Sequence, residues 1–155
     1  GIKINGVPNG GDFDCISNFQ NQLVYFEVKS GKTDNIKSDT LQYFLDRHNF
    51  LAPHFSVLFI DYEGGKDKLD DFVMKFRNLK INDKNKISLI SKVTIEAQKF
   101  YVIAPDIIII DMHKGNILSN LRIAMQYIHR YNAFSKNMYY LKIPPNFLGY
   151  EYVQL

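Results

Sequence analysis

The chain has 155 residues, of which 46% are hydrophobic and 23% charged, with a formal net charge of +3. This length and balance predict one globular domain with a sizeable core and exclude a disordered chain, and the mild positive charge leans towards an anionic partner. The single cysteine, Cys15, excludes an intramolecular disulfide and a multi-cysteine metal cradle, and fits a reducing, cytoplasmic setting without a membrane span.

Residues 12–17 and 22–29 alternate with period two around Gln20-Asn21, which predicts a β-hairpin. Residues 38–50 place Leu41, Phe44, Leu45 and Phe50 near helical spacing, with Ser38 or Asp39 as the cap. The apolar run at 56–61 predicts a central strand covered on both faces. After Gly64-Gly65, a helix is expected with Leu69, Phe72, Val73 and Phe76 on one side.

Residues 81–88 read as a polar connection. The next stretch is ambiguous, and a helix over 88–98 followed by a strand over 100–103 is preferred. Residues 106–111 read as a second buried strand. Residues 116–132 form the clearest helix, with Leu118, Leu121, Ile123, Met125 and Ile128 inside. The tail from Met138 predicts a strand, a break at Pro144-Pro145 and an edge strand. No signal-peptide pattern opens the chain, and a start on Gly1 rather than Met makes an upstream segment an expectation. The expected architecture is a single α/β domain over 1–155, with a mixed central sheet and helices on both faces.

Centring the hairpin on Gln20-Asn21 sets Asp14 opposite Glu27 and Asp12 opposite Lys29, all on one face. Phe13, Cys15, Phe26 and Val28 fall on the other face, as core. Cβ atoms of directly opposed residues lie roughly 4.5–5.5 Å apart, where like charges repel. The Asp14–Glu27 pair therefore calls for a cation. Mg²⁺ suits it, because it accepts one or two carboxylates and keeps waters. Lys29 beside that position suits a phosphate oxygen or an attacking water.

These residues resemble the PD-(D/E)XK nuclease superfamily, which includes many restriction endonucleases and Holliday-junction resolvases. Asp12-Phe13-Asp14-Cys15 matches its acid-hydrophobic-Asp-hydrophobic strand, and Glu27-Val28-Lys29, trailed by Ser30-Gly31, matches its Glu-x-Lys strand. Pro is absent before Asp14, and the helix usual ahead of the first strand is missing or truncated. The literal Pro105-Asp106 has no Glu-x-Lys after it and is rejected. The resemblance implies a restriction-endonuclease-like fold and a Mg²⁺-dependent DNA endonuclease of restriction or repair type, with Mn²⁺ as a substitute. Asp14, Glu27 and the Val28 carbonyl would bind the metal, Asp12 a second metal or a ligand water, and Lys29 would serve the chemistry. An inactive nuclease-fold binding or assembly module, and an RNase, are the alternatives.

Lys32, Lys37 and Arg47 suit phosphate contacts or a solvated surface equally well. Gln42 is either a supporting site residue or the exposed face of its helix. The four histidines lack metal-binding spacing, and Ser30, Ser56 and Ser119 lack a nucleophile-elbow context. Asp61 and Asp111 end apolar strands, as turn or cap residues or at a ligand edge. Tyr139, Tyr140, Tyr150 and Tyr152 predict an edge-strand core or a homodimer surface, the dimer presenting two sites to one duplex.

Overall fold

The computed structural model describes residues 2–3, 12–32, 37–63, 68–77, 90–103, 106–112, 115–141 and 150–152. The hairpin strands are β3 (Cys15–Phe19) and β4 (Gln22–Lys32), joined in the register that the alternation implies, from Cys15 opposite Phe26 to Phe19 opposite Gln22. Gln20 and Asn21 take φ of 51° and 61°. A two-residue turn with both residues left-handed matches the right-handed twist of the strands it joins.

β4 runs parallel to β5 (Phe55–Glu63), and β5 runs parallel to β8 (Ile107–Asp111). From β8 the sheet continues antiparallel through β7 (Gln98–Ile103) and β6 (Ile90–Ile95) to β9 (Tyr150–Tyr152). Among the described residues this makes a seven-stranded mixed sheet, ordered β3-β4-β5-β8-β7-β6-β9. β1 (Ile2–Lys3) and β2 (Asp12–Phe13) form a separate two-stranded sheet.

Strand alternation then distributes the apolar residues. In β5, Leu58 and Ile60 pack with Leu41, Phe44 and Leu45 of α1 (Ser38–Leu51) and Leu69, Phe72, Val73 and Phe76 of α2 (Lys68–Arg77). Val57 and Phe59 point the other way, towards Ile123, Ala124, Tyr127 and Ile128 of α3 (Ile117–Leu141). The domain is therefore α/β, with a mixed sheet covered on both faces. Each fully buried Leu, Ile, Val or Phe contributes about 1.5–3 kcal/mol relative to exposure, whereas a surface ion pair contributes about 0–1 kcal/mol. These two apolar layers, not the surface charges, hold the sheet.

Several expectations need correcting. Residues 90–95 form a strand, not part of a helix, and Glu96-Ala97 turn back into β7 with φ of 50° and 63°. Ile90, Val93, Thr94 and Ile95 favour the pleated state, and Val93 and Ile95 bury together on one face. Glu96-Ala97 lacks the Asn-Gly chemistry that usually announces such a turn, so the hairpin was hidden. Its position is fixed from outside: the Glu96 carboxylate accepts from Arg122 Nη2 at 2.5 Å and from Gln126 Nε2 at 2.9 Å, both on α3.

α3 runs to Leu141, so Met138–Leu141 is helical and not a strand, while the edge strand at Tyr150–Tyr152 is present. The Pro144-Pro145 break lies outside the described residues. Leu118, in the first turn of α3, is 73% exposed and Phe50, in the last turn of α1, is 49% exposed, so neither joins the apolar layers as expected. Ser38 begins α1 as a helical residue, and Lys37 occupies the cap position without a side-chain hydrogen bond.

Candidate active site

The face of β4 that carries Tyr25, Glu27 and Lys29 looks towards α1. Tyr25 and Glu27 are buried in consecutive positions along this face, and the Tyr25 ring stacks on Phe44 of α1 at 5.7 Å between centroids. Three residues after Phe44, one helical turn along, Arg47 reaches the same spot. Its Nε donates to the Tyr25 hydroxyl at 2.9 Å, and its Nη2 donates to Glu27 Oε1 at 2.5 Å. The Tyr25 hydroxyl donates to Glu27 Oε2, and Lys29 Nζ donates to Glu27 Oε1. Glu27 is 1% exposed, so its carboxylate sits in a closed cage of one phenol and two cations.

The two cations differ in kind. The Arg47 side chain is 7% exposed and doubly bonded, which fixes it; the Lys29 side chain is 21% exposed and reaches solvent. Burial alone would lower the basicity of the Arg47 guanidinium, but the bond to Tyr25 and the charge of Glu27 outweigh it and raise it.

Asp14 does not pair with Glu27 in the ladder as expected. The chain bends there, between β2 and β3, and the ladder stops at Cys15 opposite Phe26. The bend turns Phe13 into the α1 side of the core, where its ring meets the edge of Tyr25 at 5.3 Å. Phe13 thus lies on the Glu27 face and not on the opposite one, and Cys15 is exposed. Val28 is 40% exposed, and Phe26 alone of the four packs as expected, against Phe59.

Asp14 instead takes over a backbone role. Its Oδ2 accepts the Val28 N–H at 2.8 Å, where the next rung of the ladder would have supplied a carbonyl. Because the N–H and C=O of a strand residue point the same way, the Val28 carbonyl faces this edge as well. The Asp14 carboxylate and the Val28 carbonyl thus share this edge, while the Glu27 carboxylate is turned towards α1 and held by Tyr25, Lys29 and Arg47. Just beyond them, Gly31 takes φ of +115° with open space around the missing Cβ. A glycine is needed there for its backbone freedom, not for room.

The remaining candidates scatter. Arg47 is in the cage rather than on a phosphate-facing surface, because the helical period that buries Phe44 also buries it. Gln42 donates to Asp46 at 3.0 Å on the flank of α1. Lys37 is exposed ahead of α1, and Lys32, the last residue of β4, lies opposite Glu63 in the ladder. Asp12 pairs with Lys3 in the small sheet, and its side chain lies outside the described residues. Asp61 is exposed and stands two residues before the end of β5 at Glu63, so it does not terminate its strand, whereas Asp111 is buried and ends β8. Ser56 is fully buried and bonds His48 Nδ1 at 2.8 Å, with His48 Nε2 3.7 Å from Asp106, so this group anchors α1 to the sheet and offers no accessible nucleophile.

Tyr25 lies outside the acid and Glu-x-Lys motif. A signal was present: Tyr25 stands two residues before Glu27 and so shares its face.

The cage also sets an alkaline limit. Burial first, then the Glu27 carboxylate, push the Tyr25 phenol well above its ordinary value, against the opposing pull of Arg47. Burial and the Asp70 hydrogen bond raise Tyr101, and burial raises Tyr131. An unfolded chain loses these phenolic protons from about pH 10 while the folded chain keeps them, so stability is full below that pH and falls above it. Urea unfolding at about pH 8, 10 and 11 should show the fall, and Tyr25→Phe should flatten it. A midpoint that stays level across this range would contradict the assignment.

A Mg²⁺ ion needs only one or two protein carboxylates. Asp14, Glu27 and the Val28 carbonyl are the oxygen donors such an ion would use here, and both Glu27 oxygens already accept from Tyr25, Arg47 and Lys29. Among the described residues no group of three or more His, Cys, Asp or Glu side chains converges to hold a metal, and no helix is long and apolar enough to cross a membrane. Comparison with family models, curated proteins and solved structures gives no match to this chain.

Proposed function

We propose that the chain is a Mg²⁺-dependent nuclease with a restriction-endonuclease-like fold, hydrolysing phosphodiester bonds of duplex DNA. One observation carries this reading: Glu27 and Lys29 share a face of β4, while the Asp14 carboxylate docks on the intervening Val28 at a break in the hairpin. Asp14, Glu27 and the Val28 carbonyl would hold the metal. Bound there, Mg²⁺ supplies Lewis-acid polarisation of the phosphate and a more acidic water. Tyr25 and Arg47 hold the Glu27 carboxylate in place. Lys29, the exposed cation, orients the water and neutralises charge that develops on the phosphoryl oxygens. Lys37, exposed ahead of α1, supplies charge for a flanking phosphate.

The cage itself favours a second reading. Both Glu27 oxygens are engaged, as they would be in an inactive nuclease-fold module whose ion cluster is purely structural. Incubation with supercoiled plasmid, linear duplex and single-stranded RNA, with and without Mg²⁺ or Mn²⁺, separates the readings. Metal-dependent nicking of DNA that Glu27→Ala abolishes is the expected result. RNA cleavage alone would transfer the assignment to an RNase, and no cleavage of any substrate would favour the inactive module.

The tail is a poor place for a homodimer with both sites on one duplex. β9 lies five strands from β4, about 24 Å at ordinary strand spacing, so copies joined there would hold their sites far apart. A dimer with facing sites would need a different surface. Light scattering with and without duplex DNA would show whether it forms.

A further inference from the structure

β3 ends the sheet, and among the described residues its single strand neighbour is β4. In a hairpin closed by a two-residue turn, the residues flanking the turn bond to each other. Phe19, Ser17 and Cys15 therefore direct their N–H and C=O groups to β4, and those of Ile16 and Asn18 point outward. β1 does not reach them, because it pairs Ile2 with Phe13 and Lys3 with Asp12, on the far side of the bend at Asp14. An open edge of this kind is usually blunted by a charge, a proline or a bulge. Cys15-Ile16-Ser17-Asn18-Phe19 has no charge and no proline, and its ladder to β4 is unbroken. The opposite edge, β9, is shorter and carries Glu151.

We propose that this edge docks the β3 of a second copy of the chain, antiparallel, about a two-fold axis at Ser17. Ile16 of one copy lies opposite Asn18 of the other, each N–H meets a carbonyl, and the axis repeats the exchange. Every outward group of Ile16 and Asn18 is then satisfied. A slip by two residues would carry Ile16 onto the turn or Asn18 onto the bend and lose half of these bonds, so the register is fixed by where the strand ends. The side chains allow it. Cys15 faces Phe19, Ile16 faces Asn18 and Ser17 faces Ser17, so no like charges meet although each copy carries a net +3. A strand of five residues buries well under the roughly 1,200–2,000 Å² of a stable interface, so the pair is weak and depends on concentration. A two-fold also closes the contact, which stops the assembly at two copies. Nothing in this pairing requires the nuclease reading.

Sedimentation equilibrium of the full chain between about 10 µM and 1 mM covers the range of transient pairs. Wild type should pass from monomer towards dimer as concentration rises. Asn18→Pro removes an outward N–H at an exposed edge position and leaves the ladder to β4 intact. It should weaken the dimer at least about tenfold while the melting temperature stays near wild type. Cross-linking reads the register, in a Cys15→Ser background that removes the one native cysteine. Across the axis the two Ser17 Cα atoms would lie about 4.5 Å apart, within disulfide range. Ser17→Cys should therefore give a disulfide-linked dimer in a glutathione buffer, and Asn18→Cys should not. A chain that stays monomeric across the range, with no cross-link from Ser17→Cys, would overturn the proposal. So would a dimer that Asn18→Pro leaves at wild-type strength, which would place the interface elsewhere.

Discussion

Arg47→Met should lower the unfolding free energy by about 3–5 kcal/mol, the usual cost of breaking a buried ion pair from one side. The substitution keeps the aliphatic volume but leaves Glu27, 1% exposed, with Lys29 as its sole cation and the Tyr25 hydroxyl without a donor. The loss falls on the carboxylate left behind more than on the bond removed, because desolvation is already incurred and no longer offset. Chemical denaturation of wild type, Arg47→Met and Arg47→Met combined with Glu27→Gln measures this directly. The double substitution should recover part of the loss, since it removes the stranded charge. A single-variant effect below about 1 kcal/mol would mean that water reaches the cage and screens it as at a surface.

Lys29→Ala should leave the fold nearly unchanged and reduce turnover by roughly 10²–10³, the range for removing one transition-state donor. Its side chain is 21% exposed, and Arg47 remains on Glu27 after its removal, so no buried charge is orphaned. The variant should separate two properties that usually fall together: a melting temperature near wild type and single-turnover DNA cleavage that is far slower. Single-turnover rates within threefold of wild type would remove Lys29 from the chemistry.

How much of this was legible depends on how local the signal is. The register of the β3–β4 hairpin follows from period-two alternation and a two-residue turn, both contained within residues 12–29. β5 and β8 announce themselves by unbroken apolar runs, and α2 by the spacing of Leu69, Phe72, Val73 and Phe76. The 90–103 hairpin is not legible locally, because its turn residues, Glu96 and Ala97, carry no left-handed preference and bond to Arg122 and Gln126 of another element. Long-range contacts of that kind leave no periodic trace.

The candidate site shows the same division. Strand parity alone gives the shared face of Glu27 and Lys29. The bend at Asp14 depends on Phe13 finding a place beside Tyr25, and the cage depends on α1 delivering Arg47. Arg47 resembles any basic residue near a helix end, although its spacing from Phe44 places it on the buried side.

The bond from the Val28 amide to Asp14 gives the chain an internal reporter. In most hairpins that N–H would be buried in a ladder and indifferent to chemistry nearby. Here its acceptor is a side-chain oxygen at 2.8 Å, at the rim of the cluster. Any species that draws on the Asp14 carboxylate, whether a divalent ion or a bound phosphate with its counter-ions, must polarise or loosen that one bond. The nitrogen-15 amide resonance of Val28 therefore becomes a titration signal for the site that requires no substrate or turnover. Asp14→Asn preserves an acceptor oxygen while removing the charge, so it should keep the resonance in place and silence its response.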